Sequence, residues 1–256
     1  MKNFCITLLI LIFLFSCSTK NNLVYIKNSE KENITKIDYS KIKNLIEIGD
    51  ILNIVVQTIN PEASIPYNKT NLIQTSVNNI DLVKLEGYLV DKNMMINFPV
   101  LGKISIYDFD TEDLENKITK LLIDGGHLTN PTVKVRRVNS KFTIIGEVSL
   151  AGTFSYYDKN LNIFQALGYA GDLTIEGKRK NVTLIREENG LRKIYKIDLT
   201  NSNIFKKPFY YIKNNDVLIV EPNFSKVKSA GFIGSPSSIA SFASLILSLT
   251  LLIINR

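Results

Sequence analysis

Between residues 87 and 138 the apolar positions change their period twice. Tyr88-Leu89-Val90 and residues 94–101 are extended apolar runs, parted by the turn cluster Asp91-Lys92-Asn93. Gly102 then separates Phe98-Pro99-Val100-Leu101 from Ile104 and Ile106, which alternate with polar neighbours as a strand does. The period next lengthens. Leu114, Ile118, Leu121 and Leu122 fall on one face of a helix. Asp110 or Thr111 can cap this helix, Glu112 and Asp113 put negative charge at its positive end, and Gly125-Gly126 stops it. Pro131 opens a last alternating run through Val133 and Val135. The pattern predicts strand, strand, helix, strand, with a helix lying on a small sheet.

The flanking stretches extend this unit and add a second. Ile48, Ile51, Leu52, Ile54, Val55 and Val56 make residues 45–56 strand-like, with a bend at Gly49-Asp50. Residues 60–86 are mostly polar and hold Pro61 and Pro66; a loop of this length is usually functional or disordered. The second unit, 141–223, begins with Thr143-Ile144-Ile145-Gly146-Glu147-Val148, a strand ending in a turn, and Ala151-Gly152-Thr153-Phe154 follows as the next turn and strand. Leu161, Phe164, Ala166 and Leu167 mark a short helix that ends near Ala170-Gly171-Asp172. Alternating strands follow at 182–186 and 194–199, joined by a hairpin signal at Asn189-Gly190. Asn214-Asn215-Asp216 turns into Val217-Leu218-Ile219-Val220, ended by Pro222. The fold class is α+β, with two small domains, 44–140 and 141–223.

Several of these stretches resemble a known family. Tyr88-Leu89-Val90-Asp91, Ile96-Asn97-Phe98-Pro99-Val100-Leu101-Gly102-Lys103-Ile104, Thr111-Glu112 with Ile118 and Leu121, and Asn130-Pro131-Thr132-Val133-Lys134-Val135 are similar to the polysaccharide export domain of bacterial outer-membrane exporters. Their order and spacing carry the likeness, which starts near Ile48-Gly49-Asp50-Ile51-Leu52. Gly146-Glu147-Val148, Ala170-Gly171-Asp172 and Asp216-Val217 resemble the soluble-ligand-binding β-grasp module that follows it in the same family. Leu150-Ala151-Gly152 departs from that module, which usually has Pro before the Gly. A plain α+β domain without a ligand fits the same residues.

The two ends of the chain are its most apolar parts. Lys2 precedes an apolar core at 4–15, too short to span a bilayer comfortably, and Leu14-Phe15-Ser16-Cys17 resembles a bacterial lipoprotein box. The reading is a signal peptide at 1–16, a lipid on Cys17 and a polar tether over 17–43; an arm packed on a neighbouring domain fits the same polar residues. Ser18-Thr19 after the cysteine favours the outer membrane. At the other end no charge occurs between Lys228 and Arg256. A membrane helix is expected within 235–256. Ser235 can cap it, and from Pro236 to Ile254 it would run about 28 Å at ~1.5 Å per residue, close to bilayer thickness. Ser237, Ser241, Ser244 and Ser248 fall on one stripe of this helix, opposite Ile239, Phe242, Ile246, Leu249 and Ile253.

Charge and candidate chemistry narrow the function. The formal net charge is +7, without a basic stripe interleaved with aromatics, so no nucleic-acid partner is expected. With Cys5 removed and Cys17 lipidated, no disulfide and no cysteine metal site remains. His127 is the single histidine and sits in a helix-ending loop without ligand spacing. Asp108, Asp110, Glu112 and Asp113 cluster where helix capping accounts for them. No P-loop and no catalytic triad is visible, and neither an enzyme nor a cofactor is expected.

The resemblance implies a ring of identical subunits whose soluble domains lie in the periplasm. It implies C-terminal helices that form an outer-membrane pore for capsule or exopolysaccharide, and an inner-membrane polysaccharide co-polymerase as partner. The serine stripe would line that pore; a lipid-facing anchor in which each serine bonds a backbone carbonyl one turn back fits the same residues. The alternative is a monomeric envelope lipoprotein that binds carbohydrate or peptidoglycan without forming a pore.

Overall fold

A computed structural model of the protein describes residues 23–27, 44–69, 84–188 and 190–223, with 240–242, 244, 245 and 248 near the C-terminus. The expected signal peptide, Cys17 and most of the expected C-terminal span lie outside the described residues. Among the described residues no helix is long and apolar enough to cross a membrane. The described chain is a mixed α/β structure with several sheets and few helices.

The first half runs β1 (Ile51–Gln57), α1 (Pro61–Ser64), β2 (Tyr88–Leu89), β3 (Met95–Phe98), β4 (Gly102–Ser105), α2 (Thr111–Asp124) and β5 (Thr132–Arg137). β1 is central in an antiparallel sheet of order β2-β1-β5. It sends Leu52, Ile54 and Val56 inward, and β5 sends Val133 and Val135. The apolar run at 94–101 does not stay extended. β3 and β4 pair as a separate hairpin that turns at Pro99-Val100-Leu101, where the Leu101 N–H donates to the Pro99 carbonyl at 2.7 Å. α2 starts at Asp110, whose carboxylate accepts from the Glu112 and Asp113 N–H groups at 2.8 and 2.9 Å; Asp113 in turn accepts from the Asp110 N–H, completing a capping box. Leu114, Ile118 and Leu122 are fully buried. Leu121 flanks them, half-buried, because the helix turns its 114–118–122 row toward the core.

The polar stretch at 60–86 begins with order. Asn60 caps α1, a 3-10 turn spans Ile65–Tyr67, and the Asn68 amide both accepts from the Val56 N–H and donates to its carbonyl, at 2.8 and 2.9 Å. Asn68 thus supplies a partner to the part of β1 that short β2 does not reach. Residues 70–83 lie outside the described residues.

The second half runs β6 (Lys141–Gly146), β7 (Gly152–Ser155), α3 (Ile163–Tyr169), β8 (Gly177–Glu188), β9 (Leu191–Ile197) and β10 (Val217–Pro222). They form a five-stranded sheet of order β7-β6-β10-β8-β9, in which β6 and β10 are parallel and the other pairs antiparallel. α3 buries Ile163, Ala166 and Leu167 in a core built on Phe142, Ile144, Leu184 and Leu218. Gly146 is required where β6 ends. Its φ is +98°, and a Cβ there would lie 2.0 Å from the Val220 carbonyl oxygen.

Residues 23–27, within the stretch expected as a tether, pack on this second half. The Ile26 and Lys27 N–H groups donate to the Leu199 and Thr200 carbonyls, the Tyr25 hydroxyl donates to Asp172, and Arg179 sits 5.2 Å from the Tyr25 ring centre. At these residues the structure has the packed arm rather than a free tether.

Candidate functional site: a cleft at the seam of the two domains

The two halves meet at the short connection 138–140, which is pinned to the start of β1. The Val138 N–H donates to the Ile51 carbonyl, and the Asn139 side chain accepts from the Ile51 N–H and donates to the Gly49 carbonyl, each at 2.9 Å. Next to it lies Asp50, 1% exposed. Its carboxylate accepts from the Glu47 N–H at 2.8 Å and from the Asn214 side-chain amide at 2.9 Å. Arg137 Nε lies 2.9 Å from the same carboxylate but out of line for a hydrogen bond, so that contact is ionic. The guanidinium donates instead to Asn44 Oδ1 at 3.2 Å and to the Leu45 carbonyl at 2.8 Å. Burial pushes the Asp50 carboxyl above the usual carboxylate range, with Arg137 and its hydrogen-bond donors pulling the other way. Glu47 is raised too, by burial first and then by Asp50.

Asn214 makes this a joint between domains. Its amide nitrogen donates to Asp50 in the first half, and its oxygen accepts from the Lys141 N–H, the first amide of β6, at 3.0 Å. Two more contacts cross the seam: Asn44 donates to the Lys159 carbonyl at 3.3 Å, and the Lys159 ammonium meets Glu112 at 3.2 Å.

A cleft of about 950 Å³ opens at this seam. One wall is strand, with Asn53 of β1 directly opposite Arg136 of β5 in register. The second is the first two turns of α2, with Glu115 and Asn116; Glu115 accepts from the Val135 N–H of edge strand β5 at 2.9 Å and so holds helix to sheet. The third is residues 156–159 of the second half. Tyr156 is 1% exposed, its hydroxyl has no hydrogen-bond partner among the described residues, and burial raises its pKa to about 12. Tyr157 is the opposite case, 58% exposed.

Residues 40–138 match the family model of polysaccharide biosynthesis/export proteins. This stretch is similar to the polysaccharide biosynthesis/export domain. The match ends at Val138, where the export domain hands over to the connection at the seam. Comparison with curated proteins finds no significant match. The match suggests that the protein takes part in polysaccharide export.

Of the residues singled out from sequence, Cys17 and the serine stripe lie outside the export domain, whereas His127 and the acidic cluster lie within it. Cys17 and Ser237 are outside the described residues. Ser241, Ser244 and Ser248 are helical and exposed; Ser244 Oγ donates to the Ser241 carbonyl and Ser248 Oγ to the Leu245 carbonyl, both at 2.9 Å. His127 is exposed, with its ring edge-on to Tyr67 at 5.9 Å. Of the acidic cluster, Asp110 and Asp113 cap α2, and Glu112 crosses the seam. Among the described residues no three metal-ligand side chains come together. Sequence reading missed Asp50, Arg137 and Asn214 as one network. Its signal was present: a carboxylate two residues before the inward Leu52, and an arginine two residues after the inward Val135.

Proposed function

We propose that the protein is a subunit of an outer-membrane channel for capsule or exopolysaccharide. In this reading it assembles as a ring of identical copies, is held by a lipid on Cys17, and keeps its soluble domains in the periplasm. The C-terminal helices form the pore, with Ser237, Ser241, Ser244 and Ser248 toward the lumen, and an inner-membrane polysaccharide co-polymerase supplies the chain. The observation that carries the reading is the export domain at 40–138. Support comes from the second half, whose mixed sheet with a parallel central pair and one packed helix suits a soluble-ligand-binding β-grasp domain. The charge-free C-terminal run is of membrane length. The small serine side chain permits close helix packing around a neutral, wettable lumen; the Ser244 and Ser248 hydroxyls bond carbonyls of their own helix, which suits a lipid-facing anchor as well, and the labelling below separates the two.

The test is one preparation of detergent-extracted protein, weighed in its native state and then labelled. The expected mass is a multiple of that of the processed, lipidated chain. Ser241→Cys and Ser248→Cys should react with a membrane-impermeant thiol reagent, and Ile246→Cys and Leu249→Cys should stay protected. A monomer sinks the ring, and equal protection of all four positions sinks the pore. The cleft favours one second reading, a monomeric envelope lipoprotein that binds carbohydrate, and the native mass separates the two.

A further inference from the structure

We infer that the cleft at the domain seam is a saccharide-binding site for a short, hydroxyl-rich stretch of the exported chain; this deepens the export reading and rests on it. The cleft's volume of about 950 Å³ is at the upper end of the ~300–1,000 Å³ typical of ligand sites. Its chemistry is selective in what it leaves free. Arg137, Lys159, Glu112 and Glu115 are engaged with protein partners. The side chains of Asn53, Asn116, Arg136, Tyr157 and Asp158 make no hydrogen bond, ion pair or ring contact among the described residues. They come from all three walls, so groups placed on them face one shared volume.

The free set fits one class of ligand. Two primary amides each donate and accept, Arg136 offers a planar fork of donors, and Asp158 accepts twice. A sugar ring carries adjacent hydroxyls that both donate and accept around its rim, and it has an apolar C–H face. The exposed Tyr157 ring supplies a flat apolar surface for that face. Asn53 stands directly opposite Arg136 across the β1–β5 pair, so the two can share neighbouring hydroxyls, or a hydroxyl and the carboxylate of an acidic sugar. A lipid would meet too many polar groups here. The site also spans both domains, so occupancy would stabilise their relative placement through the seam at Asp50 and Asn214.

The experiment titrates the full-length protein in detergent micelles with two probes, an α-1,6-linked glucose hexamer and a galacturonic acid hexamer, and reads binding by calorimetry. At least one hexamer should bind. Tyr157→Ala and Arg136→Gln should each weaken that binding at least tenfold while leaving thermal unfolding unchanged, since both side chains are exposed. A larger loss for the acidic hexamer with Arg136→Gln would identify a carboxylate as the recognised group; equal losses would identify hydroxyls. Lys103→Gln, on β4 outside the cleft, should change nothing. Binding of neither hexamer, or binding that survives both substitutions, overturns the inference. So does loss of oligomer mass in Tyr157→Ala without any glycan binding, because a second copy of the chain would then occupy the cleft. A monomer that binds glycan through Tyr157 keeps the site and removes the channel, and a ring that binds none does the reverse.

Discussion

Val100 is the most conspicuous single residue of the export domain. It is β-branched, 58% exposed, and holds φ at +64°. The hydrogen bond from the Leu101 N–H to the Pro99 carbonyl spans only two residues, so the turn is a γ-turn with a positive central φ, the rare and strained kind. A left-handed conformation costs a non-glycine residue ~1–2 kcal/mol. Val100→Gly should relieve that strain and lose little packing. The gain is reduced by the greater freedom of glycine in the unfolded chain, leaving a net stabilisation of up to about 1 kcal/mol. Denaturant unfolding of the two proteins side by side checks it. A destabilisation beyond about 0.5 kcal/mol would mean that the valine side chain holds the turn through contacts worth more than the strain. The strain itself could not be read from sequence. Residues 94–101 are uniformly apolar, and only Pro99 and Gly102 hinted that the run folds back on itself.

At the scale of elements the periodicities were legible, because a strand or helix buries whatever its period brings to one side. Most of the α2 face and the presence of each strand of the second half follow from spacing, whereas the closing of a capping box by Asp113 and the start of β8 at Gly177 do not. Exact pairing was not legible, because register depends on partners far away in the chain. One buried pair shows what was nevertheless on the page. In β8, Arg186 continues the inward row of Val182 and Leu184; Asp216, just before β10, continues the inward row of Leu218 and Val220. The observed register sets Leu218 opposite Leu184 and so brings Asp216 to Arg186. The guanidinium donates to the carboxylate from Nε at 2.9 Å and from a terminal nitrogen at 2.6 Å, and both side chains are buried. The export domain repeats the device with Asp50 and Arg137, each continuing an inward row of β1 or β5. Removing one member of such a pair leaves the other's charge buried without its opposite charge. Asp216→Asn should therefore cost ~3–5 kcal/mol, whereas Arg186→Met combined with Asp216→Leu should recover more than half of that loss. The midpoints of urea unfolding decide it. A single substitution costing under about 1 kcal/mol would show that water reaches Arg186 and replaces the carboxylate.

Over the whole molecule, sequence reading separated two domains near residue 140 but gave no sign that they are joined by more than the chain. The joint depends on polar side chains whose partners are far apart in sequence, and such contacts leave no periodic trace. Asn214 is its centre: it lies in a turn of the second half, yet one end of its amide binds Asp50 and the other the first amide of β6. Asp50 is already held above the usual carboxylate range by burial, so each donor it keeps helps to hold its charge. Asn214→Ala removes one donor from Asp50 and leaves the Lys141 N–H without its acceptor. Losing bonds from buried groups costs ~1–3 kcal/mol. The loss should fall on the coupling between domains rather than on either core, because Asn214 belongs to neither apolar cluster. Hydrogen exchange read by mass spectrometry on the full-length protein can locate it. Amides at Glu47 and Lys141 should exchange faster in Asn214→Ala, while those of Ile144, Leu184 and Leu218 in the second core stay protected. Saturating glycan in the cleft at the same seam should restore part of the lost protection. Uniformly faster exchange across the second half would instead make Asn214 a residue of that domain's own fold, and the seam would owe its order to the connection at 138–140 and to the Asn44–Lys159 and Lys159–Glu112 contacts.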